Sequence, residues 1–327
     1  MRRMKNWLIT ASILILAGLC VCVTAYRFLG FDFTGPTKGK GSGSDTGDMV
    51  TNTYDVKKDF RNIDIDANTE DVRFAPAKDG KCSVVCVEFA NEPHDVRVEG
   101  STLKVDRPER KTGFHIGVMK EPETITVYLP EKEYKELDVD TATGDVEIPQ
   151  DFAFESVEVE TDTGNVDFLA AEAGKLSIET DTGEITVSGL KTKDVRLEAG
   201  TGDIDVTDVK CSGDMTVKVS TGKATLEDVA CRNFNSDATT GDLRMKKVIA
   251  SDTFTIKRTT GHVTFDGCDA ETIYVETDTG DVTGTFLSDK VFLTDTDTGK
   301  VDTPKSITGG RCEITTDTGD IRLDVKK

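Results

Sequence analysis

The sequence is poor in the residues that build metal centres, disulfide frameworks and nucleic-acid interfaces. Only three histidines occur in 327 residues, and the eight cysteines form no C-x-x-C pair, so the usual ligand spacing of a zinc site is missing. Cys20 and Cys22 lie in an apolar N-terminal run, Cys82 and Cys86 share one face of any strand, Cys211 and Cys231 repeat 20 apart, and Cys268 and Cys312 stand alone. These read as small apolar packing residues. Lys and Arg number 40 against 60 Asp and Glu, a formal charge of −20. Binding to nucleic acid is dominated by cationic contacts to phosphate, so nucleic acid is no partner. The same balance disfavours an anionic lipid surface and suits cations or basic partners. Apolar residues make up 36%, below the roughly 45–50% (Gly included) of globular domains. That excludes a thick three-layer core and fits a thin, elongated one. Aromatic residues able to stack on sugars are few, Tyr274 being one.

The one long apolar run is at the start. Arg2, Arg3 and Lys5 precede 19 uncharged residues, Trp7 to Ala25, about the number that spans a bilayer. The cations place a stub, 1–6, in the cytoplasm and everything downstream outside, with 7–29 as a transmembrane helix or signal anchor. A cleaved signal peptide ending at Val23-Thr24-Ala25 is the competing reading. Residues 30–52 include "TGPTKGKGSGSDTGDMV", a flexible Gly/Ser-rich stalk.

Downstream, a turn recurs. Gly144, Gly164, Gly183, Gly202, Gly222, Gly241, Gly261, Gly280, Gly299 and Gly319 lie 19 or 20 residues apart, and each follows a threonine. A fixed period of this size marks a repeat architecture. Within a rung such as "LSIETDTGEITVSGL", 176–190, apolar and polar residues alternate on both sides of the turn, which is strand periodicity. One such coil cannot bury its own inner face, so the coils must stack. The expected fold is all-β: a β-solenoid of about ten coils over 132–327, each coil built of two strands and stacked in chain order. Glycine at the corner supplies a conformation that a Cβ would strain. Aspartate beside it folds onto the amide two residues on.

"IDIDANTEDVRF", 63–74, fits the same template with Glu70 in place of the glycine. It reads as a degenerate first rung within an irregular N-terminal β region, 53–131, with strands at 83–89, 96–105 and 123–129 and a loop at 107–122. Lys326 and Lys327 would keep the C-terminal end of the stack charged.

At "ETITVYLPEKEYKELDVDTATGDVEIP", 123–149, a strand ending in Leu-Pro, a charged loop and a Leu-x-Val-x-Thr-x-Thr-Gly-Asp-Val run resemble the bacterial putative-adhesin family of β-strand-repeat proteins, a domain of unknown function. The resemblance covers roughly 55–325. It implies a right-handed β-helix-like solenoid on an envelope protein and carries over no catalytic residues.

The acids of the repeat line the corners one rung at a time, from Asp145 to Asp320, with no pocket where catalytic groups converge. Arg258 and His262 interrupt the row and read as surface variation. A corner offers one or two carboxylates where calcium takes six to eight oxygens, and the calcium-binding Gly-Gly-x-Gly-x-Asp pattern is absent. No catalytic, cofactor or metal residues are therefore assigned, and divalent cations are expected to bind weakly and without specificity. The expected function is a membrane-anchored extracytoplasmic module for binding, adhesion or scaffolding. Its partner would be an envelope protein or a surface polymer. The alternatives are an envelope sensor acting through a partner membrane protein and a polysaccharide-active enzyme.

Overall fold

The computed structural model describes residues 49–107 and 123–326. The expected membrane segment and all but the last four residues of the stalk lie outside them. Among the described residues there are twenty-five strands and no helix, hence none long and apolar enough to cross a membrane. The first strand, Met49–Asp55, takes in the end of the expected stalk.

The alternation read from the sequence is the alternation observed. In the Gly202 coil, Lys191–Thr201 turns Val195, Leu197 and Ala199 inward, and Ile204–Cys211 turns in first Ile204 and Val206, then Val209 and Cys211. This coil and its neighbours therefore have three inward runs where two were expected. The extra corner falls at Asp208, in the left-handed region with φ 51°. The same place in neighbouring coils is taken by Gly189, Asp228, Lys247 and Gly267, with φ between 51° and 71°. No single residue type marks this corner, so the sequence conceals it.

Strands of successive coils pair in parallel and in register. Val157 lies between Leu137 and Leu176, and Val159 between Val139 and Ile178. At the Thr-Gly corner the backbones come closest. A Cβ built on any of the ten glycines overlaps the carbonyl oxygen of the adjoining corner: Gly164 against Gly144, Gly183 against Gly164, and so on up the stack. Glycine is required here by this approach as much as by its own φ. The corner amide then bonds across the coils, Gly183 N to the Thr201 carbonyl at 2.9 Å and Gly202 N to that of Thr221 at 3.0 Å.

Chain order and stacking order part company at both ends. The rung 62–76 lies directly beneath the Gly144 coil, with Ile63 on Leu137 and Val72 on Val146, which makes the Glu70 rung a true coil. The chain then passes outward to Thr102–Asp106 and Thr124–Leu129, which stack parallel on the outer side of that rung. Only afterwards does it return to start the Gly144 coil on the inner side. At the other end the Gly280 coil is followed in space by the Gly319 coil, and the Gly299 coil lies outermost. The expectation of sequential stacking thus fails for the last two coils. A 19-residue period reports coil length and is silent on which coil neighbours which. The final strand, Ile321–Val325, is interior to the stack, and Lys326 pairs with Asp266 at 2.6 Å instead of guarding an end.

The N-terminal end is closed by antiparallel strands. Asp95–Glu99 forms a hairpin with Thr102–Asp106, so the single strand expected at 96–105 is two, broken at Gly100. On the neighbouring face, Ser83–Phe89 covers Thr124–Leu129, and Met49–Asp55 covers Ser83–Phe89. At the opposite end, Lys290 anchors the outermost coil. Only 2% exposed, its Nζ reaches past Gly310 to Asp269 Oδ1 at 2.5 Å and Ser288 Oγ at 2.7 Å. A file of rings runs through the same half of the core, Phe234, Phe254, Phe265, Phe286 and Phe292, with centroids 5.0–6.4 Å apart. All six described cysteines are buried and free, in keeping with packing roles.

Two glycine substitutions should separate close approach from backbone strain. Gly202→Ala forces a methyl into the Gly183 carbonyl, and thermal unfolding should register a loss of about 3 kcal/mol or more. Gly189→Ala, with open space around its Cβ, should cost only the left-handed strain of about 1–2 kcal/mol.

Candidate functional site

The acidic corner row is spent on the fold. At seven of the ten corners the residue after the glycine accepts a backbone N–H from the adjoining coil. Asp145 Oδ1 takes Asn165 N and Asn165 Oδ1 takes Glu184 N, both at 2.8 Å. Asp203 takes Lys223 N at 2.7 Å, and a longer run links Asp242, His262, Asp281, Asp320 and Lys300. The aspartates before the corner threonine, such as Asp162 and Asp181, are exposed and make no such bond. The local turn expected for aspartate is thus replaced by a bond between coils, made by the other acid. His262 belongs to this ladder: its Nδ1 accepts the Asp281 amide at 3.0 Å.

Arg258 is no surface variation. It occupies the inward position that Thr161, Thr180 and Thr277 hold in other coils, and it is 3% exposed. Ala238 beneath it leaves room. Its Nη2 donates to Ser236 Oγ at 2.7 Å and its Nη1 to the Lys257 carbonyl at 3.2 Å. Burial lowers its pKa to about 10. A shallow recess of about 400 Å³ crosses the same coils, lined by Lys218, Asp237, Lys257 and Glu276 among others.

At the N-terminal end, Glu70, Glu88 and His94 form a buried charge lock. His94 Nδ1 lies 2.5 Å from Glu88 Oε2, and its Nε2 lies 3.3 Å from Glu70 Oε1. Burial works against an imidazolium here, but the two carboxylates outweigh it and raise His94 to about 9. Burial likewise opposes ionised Glu70, yet bonds from His94 and the Asn68 and Thr69 amides hold it near 2. The Cys86 thiol lies within 4.8 Å of Glu88 and His94. Glu88 already accepts bonds from Asn52, Tyr54, the His94 amide and the His94 ring, which fills a carboxylate's roughly four acceptor sites. The three residues are 18 and 6 apart in sequence, on no shared motif, and only Glu70 stood out there as a glycine replacement.

The feature with no role in holding the fold is on the outward face. Strict register brings six acids into one column: Asp106, Asp66, Asp140, Glu160, Glu179 and Glu198. Alongside run Asp64, Asp138 and Glu158. Cations neutralise both ends of this area. Arg97 pairs with Asp106, Arg107 with Asp66 and Lys104 with Asp64, while Arg196 and Lys218 pair with Glu198. Asp138, Asp140, Glu158, Glu160 and Glu179 between them form no salt bridge among the described residues, Arg107 reaching Asp140 only through its longer-range charge. Burial and then the neighbouring carboxylates Asp64 and Glu158 raise Asp138; burial and then Glu158, Glu179 and Asp140 raise Glu160. Beyond Glu198 the column alternates: Lys218, Asp237, Lys257, Glu276. Like charges opposite each other in adjacent strands destabilise a sheet. The corner row drew attention in the sequence because its motif repeats; this column shows only once register is known.

Comparison with known proteins follows the architecture. The model of the Toastrack DUF4097 family matches residues 60–222 and 211–327. Among solved structures, a Bacteroides fragilis protein described as a putative adhesin is similar at 14% identity and TM-score 0.37, covering 85% of this chain and 97% of its own. A putative adhesin from Parabacteroides distasonis matches at 11% identity and TM-score 0.44, over 84% of this chain and 98% of its own. A putative lipid binding protein from the same organism matches at 15% identity and TM-score 0.33, over 85% and 97%. A search of curated proteins found no match.

The charge lock predicts how stability follows pH. His94 is raised from an ordinary 6.5 to about 9, so its contribution is complete below pH 6.5 and fades as pH climbs through 9. Glu70 is lowered from 4.5 to about 2, so its contribution is complete above pH 4.5 and fades as pH falls through 2. Thermal unfolding against pH should show the cap most stable between about 4.5 and 6.5. His94→Gln should flatten the alkaline arm.

Proposed function

The chain belongs to the Toastrack DUF4097 family, and from that premise we propose that it is a membrane-anchored, extracytoplasmic binding or scaffold module whose acidic face engages a cationic partner. The apolar run Trp7 to Ala25 and its basic prefix support the anchor and the outward placement of the solenoid. The observation that carries the binding reading is the patch of five carboxylates that form no salt bridge among the described residues, Asp138, Asp140, Glu158, Glu160 and Glu179. Stacking like charges in register costs stability, and a solenoid has every means to alternate them, as this one does from Glu198 onward. The fold has no use for the patch, so its use lies outside the chain.

The chemistry of recognition is simple. A basic segment of an envelope protein, or a polymer bearing amines, would meet a flat, negatively charged strip built on rigid strands. Such contacts steer association and weaken with salt. Divalent cations would screen the same strip weakly and exchangeably, calcium and magnesium alike. The buried charged groups described above are engaged in holding the fold, Glu70 and Glu88 with His94, Lys290 with Asp269 and Arg258 with Ser236, which favours binding over catalysis as the role of this surface.

Charge reversal tests the reading because fold and partner pull in opposite directions. Glu160→Lys would sit between Asp140 and Glu179 and should stabilise the solenoid by about 0.5–1 kcal/mol. The same variant should lose capture of basic envelope proteins in a pull-down at low ionic strength. Unchanged capture by a more stable variant would show that the patch binds nothing.

A further inference from the structure

The two ends of the solenoid are finished differently. The N-terminal levels are covered by antiparallel strands: Met49–Asp55 is outermost on one face, and on the other Asp95–Glu99 holds Arg97 among Asp95, Glu99 and Asp106. At the other end, Lys290–Thr298 pairs only with Gly310–Thr318, and Val301–Asp302 only with Ile321–Val325. Among the described residues their outer edges therefore carry unpaired backbone N–H and C=O groups, a template for another strand. The core stops unfinished there too. Val301 holds the inward position of fully buried Ile321 yet is 44% exposed, and the file of phenylalanines ends at half-covered Phe292. Leu293 at 46% and Ile307 at 94% exposure stand on the same terminal coil.

We propose that this end docks head to head on the same end of a second copy, Lys290–Thr298 pairing antiparallel with itself about a two-fold axis. The edge is self-complementary. Centred on Leu293, the pairing sets Leu293 on the partner's Leu293, Phe292 beside the partner's Thr294, and Val291 beside the partner's Asp295. Within Val291–Asp295 no acid then faces an acid, and Asp289, just before the strand, meets the partner's Asp297 only at its margin; a register centred on Thr296 would oppose Asp295 and the partner's Asp297 within the strand. The contact covers the end of the aromatic file with an identical end and pairs the open backbone edge. At the N-terminal end the Asp95–Glu99 edge is a poorer mate, because Arg97 is already held there among Asp95, Glu99 and Asp106. An isologous contact of this kind closes at two copies. Each copy carries −20, so association should tighten as salt screens the repulsion. This dependence is opposite to that of the acidic face with a basic partner, and the two proposals stand or fall separately.

The test is sedimentation of the full chain in density-matched detergent at low and high salt. The expected result is a monomer–dimer equilibrium that tightens with salt, with the dissociation constant raised about tenfold or more by Leu293→Lys. Leu293→Cys should give a symmetric disulfide-linked dimer under mild oxidation that the parent chain does not give. Leu293 points outward, opposite Glu313, so thermal unfolding of both variants should stay near that of the parent. A monomer at both salts, a dimer indifferent to Leu293→Lys, or open-ended oligomers from head-to-tail stacking would each overturn the proposal.

Discussion

The structure depends on one approach of backbone to backbone. At each Thr-Gly corner, a carbonyl oxygen occupies the space where the next corner's Cβ would be. That contact has no tolerance for a side chain, so it pins every coil to its neighbour at one height and one register. Parallel ladders elsewhere in the coil then follow, and so does the stacking of each side chain on its counterpart. A solenoid held this way expresses its sequence as columns. The intercoil ladder of Asp145, Asn165, Asp242 and Asp281 is one column, the phenylalanine file another, and the outward acids a third.

Columns amplify whatever is placed in them. An apolar column becomes a continuous core that no single coil could build. A polar column satisfies amides that the corner would leave open. A column of like charge accumulates repulsion, which is why alternation from Lys218 to Glu276 is the economical arrangement and the bare strip from Asp138 to Glu179 is the exception. The buried polar groups follow the opposite logic. Arg258 leans on Ser236, Lys290 on Asp269, and His94 on two glutamates, each drawing stability from a partner that a solvated side chain would not need.

Much of this was legible in the sequence, and what was not has a physical reason. The corner glycines could be read because nothing else fits there, and the inward residues because strand geometry imposes a period of two. Glu70 could be placed in a rung because Ile63, Ile65, Val72 and Phe74 keep that period around it. The extra corner escaped because Gly189, Asp208 and Lys247 share a backbone conformation and no chemistry. Arg258 escaped although the signal was present: counting the alternation through Phe254 and Ile256 puts it inward. The acidic column escaped because Asp66, Asp140 and Glu160 are 74 and 20 residues apart and meet only through register. Stacking order escaped because coils of equal length and pattern are interchangeable on paper.

That interchange of order has a consequence for how such a chain is assembled and how it lengthens. The Gly299 coil is laid down one level beyond its neighbour, and the gap is filled by residues translated later. The Gly319 level therefore closes between two levels already translated, and zipping in chain order cannot build this part of the stack. A duplicated rung added after Val325 would have no free level to occupy, since that strand is already flanked on both sides. Growth or loss of repeats is thereby confined to the interior of the array, between the Gly144 and Gly280 coils, where chain order and spatial order agree.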